Sequence, residues 1–563
     1  MSRNLSHLAG NKDFTENLFE KYAAAASVSG TPDKQELAQL AEDFLIGDAN
    51  TLGAISAFDF LKPENKGKKV YVCNGSACLC AQTQDNVHEK LQAFFGEDEI
   101  GHMTCLGRCH ENSSFHYHGN NYSGDSINHL YEILHEPVEN EFTQDKYTVQ
   151  AKTAMITAAP PSLEEWKEML QSALDKDPKL ILEEVIQSKI RGRGGAGFPM
   201  GMKWEACGYE EADRKYIVCN ADEGDPGAFT DRYILNEQPQ KLLYGMMMAG
   251  YCVGAEYGII YIRGEYPESV RSARLAVEEF VQAGMAGENI LGTGFNFHFK
   301  VVKAQGAYIC GEETALLNSL EGQRPEVRTR PPYPTVHGLF MKPTIVNNVE
   351  TLAAIPWILN NGGKAYSEMG TDNSSGTKLI SLDSYFVNGG VVEVEMGTPL
   401  REVIYDIGGG FREEVKALHI GGPLGGIVPK EKWDDLLIDF GSFAQHGFLL
   451  GHASILSIPE KMPMIEYLEH LMDFASFESC GKCFPCRIGT RRAWEMLHGA
   501  HVDGKKISRH LFDDLLDTLQ QGSLCAHGGG IPLPMRNALQ YFGDELQEYF
   551  HTESVNGYNK NID

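Results

Sequence analysis

Nine of the thirteen cysteines in this 563-residue chain are spaced as metal ligands: Cys73, Cys78 and Cys80; Cys105 and Cys109; and Cys480, Cys483 and Cys486, with Cys525 a distant fourth for the last group. Four of the first five run C-x4-C, then 26 residues, then C-x3-C. Each pair falls in a loop after a short strand, where two thiolates can point one way and leave room for a [2Fe–2S] cluster; Cys80 is the spare. Structural zinc, whose pairs take C-x2-4-C on tight knuckles, is the alternative. The last set, C-x2-C-x2-C plus one remote cysteine, puts three thiolates on one tight loop with the fourth arriving across a helical bundle. That suits [4Fe–4S], whereas zinc prefers two separated pairs. Backbone N–H groups and nearby Lys482 and Arg487 would tune its potential. Cys207, Cys219, Cys252 and Cys310 stand singly and read as small buried hydrophobes.

A second chemistry-bearing stretch is I-R-G-R-G-G-A-G-F-P-M-G-M-K-W, residues 190–204. Glycine at this density wastes backbone entropy unless main-chain N–H groups must crowd a ligand. Arg191, Arg193 and Lys203 make the loop cationic in a chain of net charge −28. The expectation is a phosphate-bearing cofactor. The loop is neither G-x-G-x-x-G after a strand nor a P-loop, so it is a weak signal alone. Further on, N-A-D-E-G-D-P-G (220–227) follows a buried strand, where open α/β sheets bind ligands. Glu312 and Glu313 stand at the first turn of a helix, a place that suits carboxylates without any ligand. Asn347 and Asn348 lie between a strand and a helix.

The elements that carry these residues read as several domains, because the chain is too long for one core. Residues 1–62 read as a helical segment (Asp13 to Ala25, Pro32 to Leu45, Asn50 to Phe60), the second helix starting at Thr31-Pro32. Residues 63–140 alternate short strands with a helix, and 141–161 read as a linker rich in Ala, Thr and Pro. Residues 162–375 repeat strand and helix, 376–462 are β-rich with turn glycines, and 463–563 are helical. In the β-rich part, G-G-P-L-G-G reads as scaffold. The span 242–262 imitates a membrane helix but is broken by Gly250, Gly254 and Gly258, so a buried helix, a turn and a strand are expected instead. There is no secretory signal at the N-terminus, which predicts a soluble, cytoplasmic protein. The acidic balance repels nucleic acid and anionic membranes.

Four stretches together, R-G-R-G-G-A-G-F, C-N-A-D-E-G-D-P-G, A-Y-I-C-G-E-E-T-A-L and T-I-V-N-N-V-E-T, resemble the FMN- and NADH-binding subunit of respiratory complex I and its relatives. Those relatives are the β subunit of NAD-linked formate dehydrogenases and the diaphorase subunit of NAD-reducing hydrogenases. Residues 12–137 resemble the thioredoxin-like [2Fe–2S] subunit that accompanies it. The fold class implied is multidomain α/β: a thioredoxin-like ferredoxin domain, a Rossmann-like FMN/NADH domain, a β-grasp (SLBB-like) domain and a C-terminal helical bundle bearing an Fe–S cluster. Ligands implied are Cys73, Cys78, Cys105 and Cys109 for one cluster and Cys480, Cys483, Cys486 and Cys525 for the other. Gly192, Gly194, Gly195, Lys203, Asn220, Asp222, Glu223, Tyr308, Gly311, Asn347, Asn348 and Thr351 would hold FMN.

On the dinucleotide side the resemblance implies Phe198 stacking on NAD and Glu312 and Glu313 beside it. Arg330 and Tyr333 replace the family's Lys and Phe, keeping a cation and a ring, while Ala206 replaces a second aromatic. Asp225 replaces a Glu, and a carboxylate there would accept from an adenosine ribose hydroxyl and favour NAD over NADP. Glu223, Glu313 and Lys203 are the candidate catalytic residues, with Lys203 polarising the flavin, although no side-chain acid or base need carry the hydride step.

Flavin accepts a hydride and releases electrons singly, so it would join NAD(H) to the clusters. The chain has no motif for a second redox substrate, which implies a catalytic partner subunit with its own redox metal. A molybdenum or tungsten formate dehydrogenase α subunit comes first, because D-E-G-D and A-H-G-G-G-I-P-L-P-M look closest to that relative. A nickel–iron hydrogenase or an electron-bifurcating assembly follows, with further Fe–S subunits. Rival readings are a non-catalytic electron-transfer scaffold and zinc at both cysteine sites.

Overall fold

A computed structural model describes residues 18–29, 32–135 and 147–551. The expected helix from Asp13, the Thr31 cap and the start of the expected linker fall partly or wholly outside them. The first described helices, Leu18–Ser29, Lys34–Asp43 and Asp48–Ile55, do not stand apart. Leu18, Phe19, Leu37 and Phe58 share one buried cluster with Val218, Ile259 and Leu316, far along the chain.

Strands β1 (Val70–Cys73), β2 (Ile100–Met103), β3 (Phe115–Tyr117) and β4 (Asn120–Tyr122) form a sheet ordered β2-β1-β3-β4. β1 and β2 run parallel, Val70 opposite Ile100, and the remaining pairs are antiparallel. Strand alternation decides where the first thiol goes. Val70 and Val72 point to a core shared with Val87 and Leu91, while Tyr71 and Cys73 face the rest of the molecule.

The segment read as a linker contributes a strand to a sheet. Its strand β5 (Val149–Ala151) pairs in parallel with a later strand, Val149 opposite Val391. The amides of Met155, Ile156 and Thr157 then converge on the buried carboxylate of Glu393, at 3.1, 2.9 and 2.8 Å. Composition hid this because the partner that satisfies the backbone lies far away in sequence.

Strands β6 (Tyr216–Ala221), β7 (Tyr257–Ile262), β8 (His298–Lys303) and β9 (Thr344–Asn348) make an all-parallel sheet ordered β8-β7-β6-β9. The chain moves outward from β6 to β8 and then returns to the far side of β6. The carboxyl ends of β6 and β9 therefore flank a topological switch point, where such sheets leave a crevice. The span that imitates a membrane helix is the buried helix Pro239–Val253, a turn at Gly254 and β7, as its glycines indicate. Among the described residues no helix is long and apolar enough to cross a membrane.

Strands β10 (Thr377–Leu382), β11 (Gly390–Glu395), β12 (Val415–Ile420), β13 (Gly426–Pro429) and β14 (Ser454–Pro459) join β5 in a six-stranded sheet ordered β13-β12-β14-β10-β11-β5. Helices Met464–Phe477, Phe484–His501, Arg509–Gly522 and Pro532–Tyr541 follow.

Candidate active site

The glycine-rich loop closes on itself beside the switch point. Gly192 N donates to Phe198 O at 2.8 Å and Met200 N to Ile190 O at 3.0 Å. Gly194 lies against β9, where a Cβ would come 2.9 Å from Asn348 Cβ. Gly195 has φ +119°, and a Cβ there would meet nothing within 4 Å. Tight packing behind and open space ahead are what a backbone cradle for a phosphate requires.

Only one of the loop's three cations is available as expected. Arg193 is 2% exposed and donates to Tyr366 Oη (3.2 Å) and the Ser375 carbonyl, while its amide donates to Thr351 Oγ1 at 2.8 Å. Arg191 donates to Gly197 O (2.6 Å) and Asn373 O (3.0 Å) and lies 4.6 Å over the Phe440 ring. Carbonyl and hydroxyl oxygens claim Arg191 and one terminal nitrogen of Arg193, so both arginines pin the loop, although Arg193 Nη1 is buried without a hydrogen-bond partner among the described residues. Lys203 remains, with Nζ 2.9 Å from Glu313 Oε2 and 3.2 Å from Val346 O, and 6.0 Å from the Phe198 ring centroid.

After β6, Asn220 Nδ2 donates to Gly311 O at 2.8 Å, and its Oδ1 accepts from Asp222 N at 3.2 Å. Burial pushes the Asp222 carboxyl well above the usual carboxylate range, and its Oδ2 has no hydrogen-bond partner among the described residues. An orphaned buried acid at the switch point is a polar group that a ligand can satisfy.

The other two carboxylates of this loop are turned elsewhere. Glu223 caps the helix Thr230–Glu237, accepting from Asp231 N (2.9 Å), Arg232 N (3.1 Å) and Thr230 Oγ1 (3.3 Å). A helix N-terminus offers unpaired N–H groups to any nearby anion, and here it claims the carboxylate expected beside the flavin. Asp225 accepts from Tyr308 Oη at 2.6 Å and pairs with His452 Nε2 at 2.7 Å. Burial would raise Asp225, but the charge and bonds of His452 and Tyr308 outweigh it and hold the carboxyl below its usual range. Burial would lower His452, and the Asp225 carboxylate outweighs that and raises it. The group offered to a ribose hydroxyl is therefore already engaged. G-G-P-L-G-G backs this pair, since a Cβ at Gly422 would stand 2.7 Å from Asp225 Cγ.

Glu312 caps the helix Glu313–Leu320 through Thr314 N and Ala315 N, both at 2.9 Å. Glu313 bridges Lys203 and Arg330, the latter at 3.0 Å, so charges of both signs line the mouth of the crevice. Phe198 and Tyr333 leave their rings 47% and 57% exposed there, free to cover an aromatic ligand. Asn347 Oδ1 accepts from Trp204 Nε1 at 2.9 Å, and Asn348 caps the helix Val349–Ala353 at Thr351 N (3.2 Å) while donating to Asp231 (2.6 Å). The structure thus gathers Gly192, Gly194, Gly195, Lys203, Asn220, Asp222, Gly311, Asn347, Asn348 and Thr351, and turns Glu223 and Asp225 away.

Cys73, Cys78, Cys105 and Cys109 are all buried. Cys105 Sγ lies 3.4 Å from Cys109 Sγ and accepts from Gly107 N at 3.3 Å, and Cys73 bonds to both Cys105 and Cys78. Hydrogen bonds from Cys109 and Cys73, then the Arg263 charge and the Gly107 amide, hold Cys105 well below the usual thiol range. Bonds to neighbouring thiols and burial push Cys73 and Cys109 the other way, well above that range, so the protons are shared within the group; four soft sulfur donors are the kind that an iron–sulfur cluster or zinc takes. Cys80 is fully buried outside that contact set, its carbonyl accepting from Tyr385 Oη at 2.7 Å.

In the C-terminal helices, Cys483 precedes the first turn of Phe484–His501, and Cys525 that of Ala526–Gly530. Burial pushes Cys486 up to about 12, and it also feels Cys483, Cys525 and Cys480, so the four thiols share one neighbourhood. Lys482, expected to tune a cluster, instead donates to Val327 O at 2.6 Å.

Sequence reasoning missed His452, Trp204, Arg263, Tyr266 and Glu478, whose Oε2 accepts from Tyr308 N at 2.9 Å. Arg263 had a visible signal, a charge at the carboxyl end of an apolar strand. His452 had none, because only the fold brings it to Asp225.

Comparison with known proteins places this geometry. Residues 185–357 match the Nuo51 FMN-binding domain, and residues 466–549 the NADH-ubiquinone oxidoreductase-F iron-sulfur binding region. The chain is 40% identical over 385 residues to the NADP-reducing hydrogenase subunit HndC of Solidesulfovibrio fructosivorans, covering 68% of this chain and 78% of that protein. It is 37% identical over 390 residues to the mitochondrial NADH dehydrogenase (ubiquinone) flavoprotein 1 of Dictyostelium discoideum, covering 67% and 80%. A solved structure of an NAD+-reducing [NiFe]-hydrogenase in the H2-reduced state aligns with TM-score 0.85 and 26% identity, over 95% of this chain and 93% of that one.

Proposed function

Because the chain belongs to the family of FMN- and NADH-binding flavoproteins of NADH dehydrogenases, we propose that it is the diaphorase subunit of a larger enzyme, exchanging a hydride between NAD(H) and FMN and single electrons with two clusters. FMN, when bound, supplies the conversion between a two-electron hydride and one-electron carriers. The observation that carries the reading is the switch-point crevice, where a backbone cradle at Gly194 and Gly195, the cation Lys203 and the unsatisfied Asp222 converge.

In this reading the loop amides and Lys203 hold the phosphate, and Asn220, Asp222 and Asn347 address the flavin's polar edge. Phe198 and Tyr333 cover the dinucleotide, with Glu312, Glu313 and Arg330 beside it. Cys73, Cys78, Cys105 and Cys109 hold [2Fe–2S], and Cys480, Cys483, Cys486 and Cys525 hold [4Fe–4S]. Glu223, as helix cap, fixes the loop rather than reacting.

The partner is a subunit with its own redox metal. Likeness over 95% of the chain to the NAD+-reducing hydrogenase supports a hydrogen-oxidising partner. The D-E-G-D and A-H-G-G-G-I-P-L-P-M segments support a molybdenum or tungsten formate dehydrogenase. Anaerobic purification of the intact complex with metal analysis separates the two. Nickel with H2-driven NAD+ reduction identifies the first, and molybdenum or tungsten with formate-driven reduction the second. Absence of acid-releasable FMN together with absence of NADH:ferricyanide activity would refute the diaphorase reading itself.

A further inference from the structure

Directly after β7, two buried side chains reach both cofactor-bearing regions at once. Arg263 is 3% exposed and spreads its guanidinium over three acceptors. Nη1 donates to Glu223 O (2.7 Å) in the loop after β6, and Nη2 to Thr104 O (3.2 Å), next to Cys105, and to Glu265 Oε1 (2.8 Å). Tyr266, fully buried, lies between the same two loops. Its hydroxyl donates to Glu223 O at 3.3 Å, and a Cβ at Gly107 would come 2.6 Å from its Cε1. Gly107 stands between Cys105 and Cys109, so only glycine permits this approach.

A guanidinium keeps its proton throughout the working pH range, so Arg263 is a fixed positive charge. Away from solvent such a charge acts strongly over several ångströms, and it favours whichever state of a neighbour is more negative. Reduction adds one electron to a cluster and forms or breaks no bond at Arg263. The Glu265 carboxylate beside it opposes that effect.

We propose that Arg263 is a positioning residue that raises the reduction potential of the cluster at Cys73, Cys78, Cys105 and Cys109 and anchors the cluster loop to the carboxylate loop of the flavin crevice. The proposal rests on the reading that those cysteines hold [2Fe–2S]. It makes opposite-sign demands on two paired residues: removing the arginine's charge disfavours reduction, and removing the glutamate's favours it.

The test uses the full chain as Arg263→Gln, Arg263→Lys and Glu265→Gln, with iron and sulfide analysis and EPR-monitored redox titration of the two-iron signal. At fixed potential, Arg263→Gln is expected to lower the ratio of reduced to oxidised cluster about tenfold, which is about 59 mV for a one-electron couple. Arg263→Lys should restore most of that shift, and Glu265→Gln should move the ratio upward. A purely structural role would reduce cluster content in both Gln variants without opposite shifts. Intact two-iron signals with unchanged midpoints, or shifts of the same sign, overturn the proposal. Should Arg263→Gln fail to assemble, Glu265→Gln decides, since no upward shift there also overturns it. Wild-type protein with zinc and no two-iron signal sinks the underlying reading, and the proposal with it.

Discussion

Lys378 lies in β10 with 0% of its side chain exposed, and it is paired with the carboxylate of Glu350, itself 2% exposed. The ammonium also donates to Leu379 O (2.7 Å), and Glu350 accepts from Leu379 N (2.9 Å). Glu350 belongs to the short helix capped by Asn348, whose Thr351 holds the Arg193 amide of the glycine loop at 2.8 Å. Lys378→Met leaves a carboxylate out of water, within range of Asp231, which already feels it. Breaking one side of a buried pair costs about 3–5 kcal/mol. At about 2–4 °C per kcal/mol for a domain of this size, Tm falls by about 6–20 °C. Because that helix carries the loop, bound FMN should be lost before the rest of the chain melts. Thermal melts followed by flavin fluorescence and circular dichroism read both. The double variant Lys378→Met, Glu350→Gln should recover more than about 1 kcal/mol of the loss. Single-variant stability within about 1 kcal/mol of wild type, or additivity within about 0.5 kcal/mol, would refute this account of the seam.

Glu393→Gln weakens the charged acceptor that gathers three amides, so it should cost about 3 kcal/mol and open residues 152–158 to proteolysis; unchanged cleavage kinetics would contradict the anchoring. The folded pKa of His452 is raised, so its stabilising contribution is full below its unfolded value of about 6.5 and is lost as pH rises through the folded value. The Tm difference between wild type and His452→Gln should therefore hold steady below about pH 6.5 and shrink above it, and a pH-independent difference would count against the Asp225 pair. Gly194→Ala forces a methyl toward Asn348 and should cut FMN content while leaving iron unchanged; full flavin occupancy would disprove the cradle. Cys525→Ala should remove one cluster's iron and spare the signal of the other, and loss of both signals would show that the two sites are not independent.

How far the sequence reaches depends on the range of the physics involved. The helices Leu163–Leu174 and Met464–Phe477 begin where their patterns place them, because period and capping are local. The cysteine sets were legible for the same reason, since ligand spacing along a loop is itself geometry. The second helix shows a local signal missed: it starts at Lys34 with Asp33 as its cap, in a capping box where Asp33 accepts from Glu36 N (2.8 Å) and the Glu36 carboxylate accepts from Asp33 N (2.9 Å). Side-chain direction was not legible. Glu223 and Asp222 are adjacent in one motif, yet one caps a helix and the other keeps a buried oxygen without a partner, a choice made by where the helix Thr230–Glu237 starts in space. Arg191 and Arg193 read as ligand-facing cations because the carbonyls that claim them belong to residues 197, 373 and 375.

The contacts between the N-terminal sheet and the parallel sheet explain why the modules sit as one body. Asn121 Nδ2 donates to Glu265 O (2.6 Å) and Asn121 N to Glu268 Oε1 (3.0 Å), while Arg271 reaches Asn120 Oδ1 (2.9 Å). On the other side Ser384 N donates to Cys109 O at 3.1 Å and Tyr385 Oη to Cys80 O at 2.7 Å. These directional bonds border an apolar contact in which Tyr71, Met103 and Leu106 join the same buried cluster as Tyr266 and Phe229, so burial supplies most of the cohesion and the hydrogen bonds fix the register. A cluster loop held by carbonyls at both Thr104 and Cys109 cannot slide relative to the flavin crevice without breaking several at once, and electron transfer between the sites then works at a fixed separation.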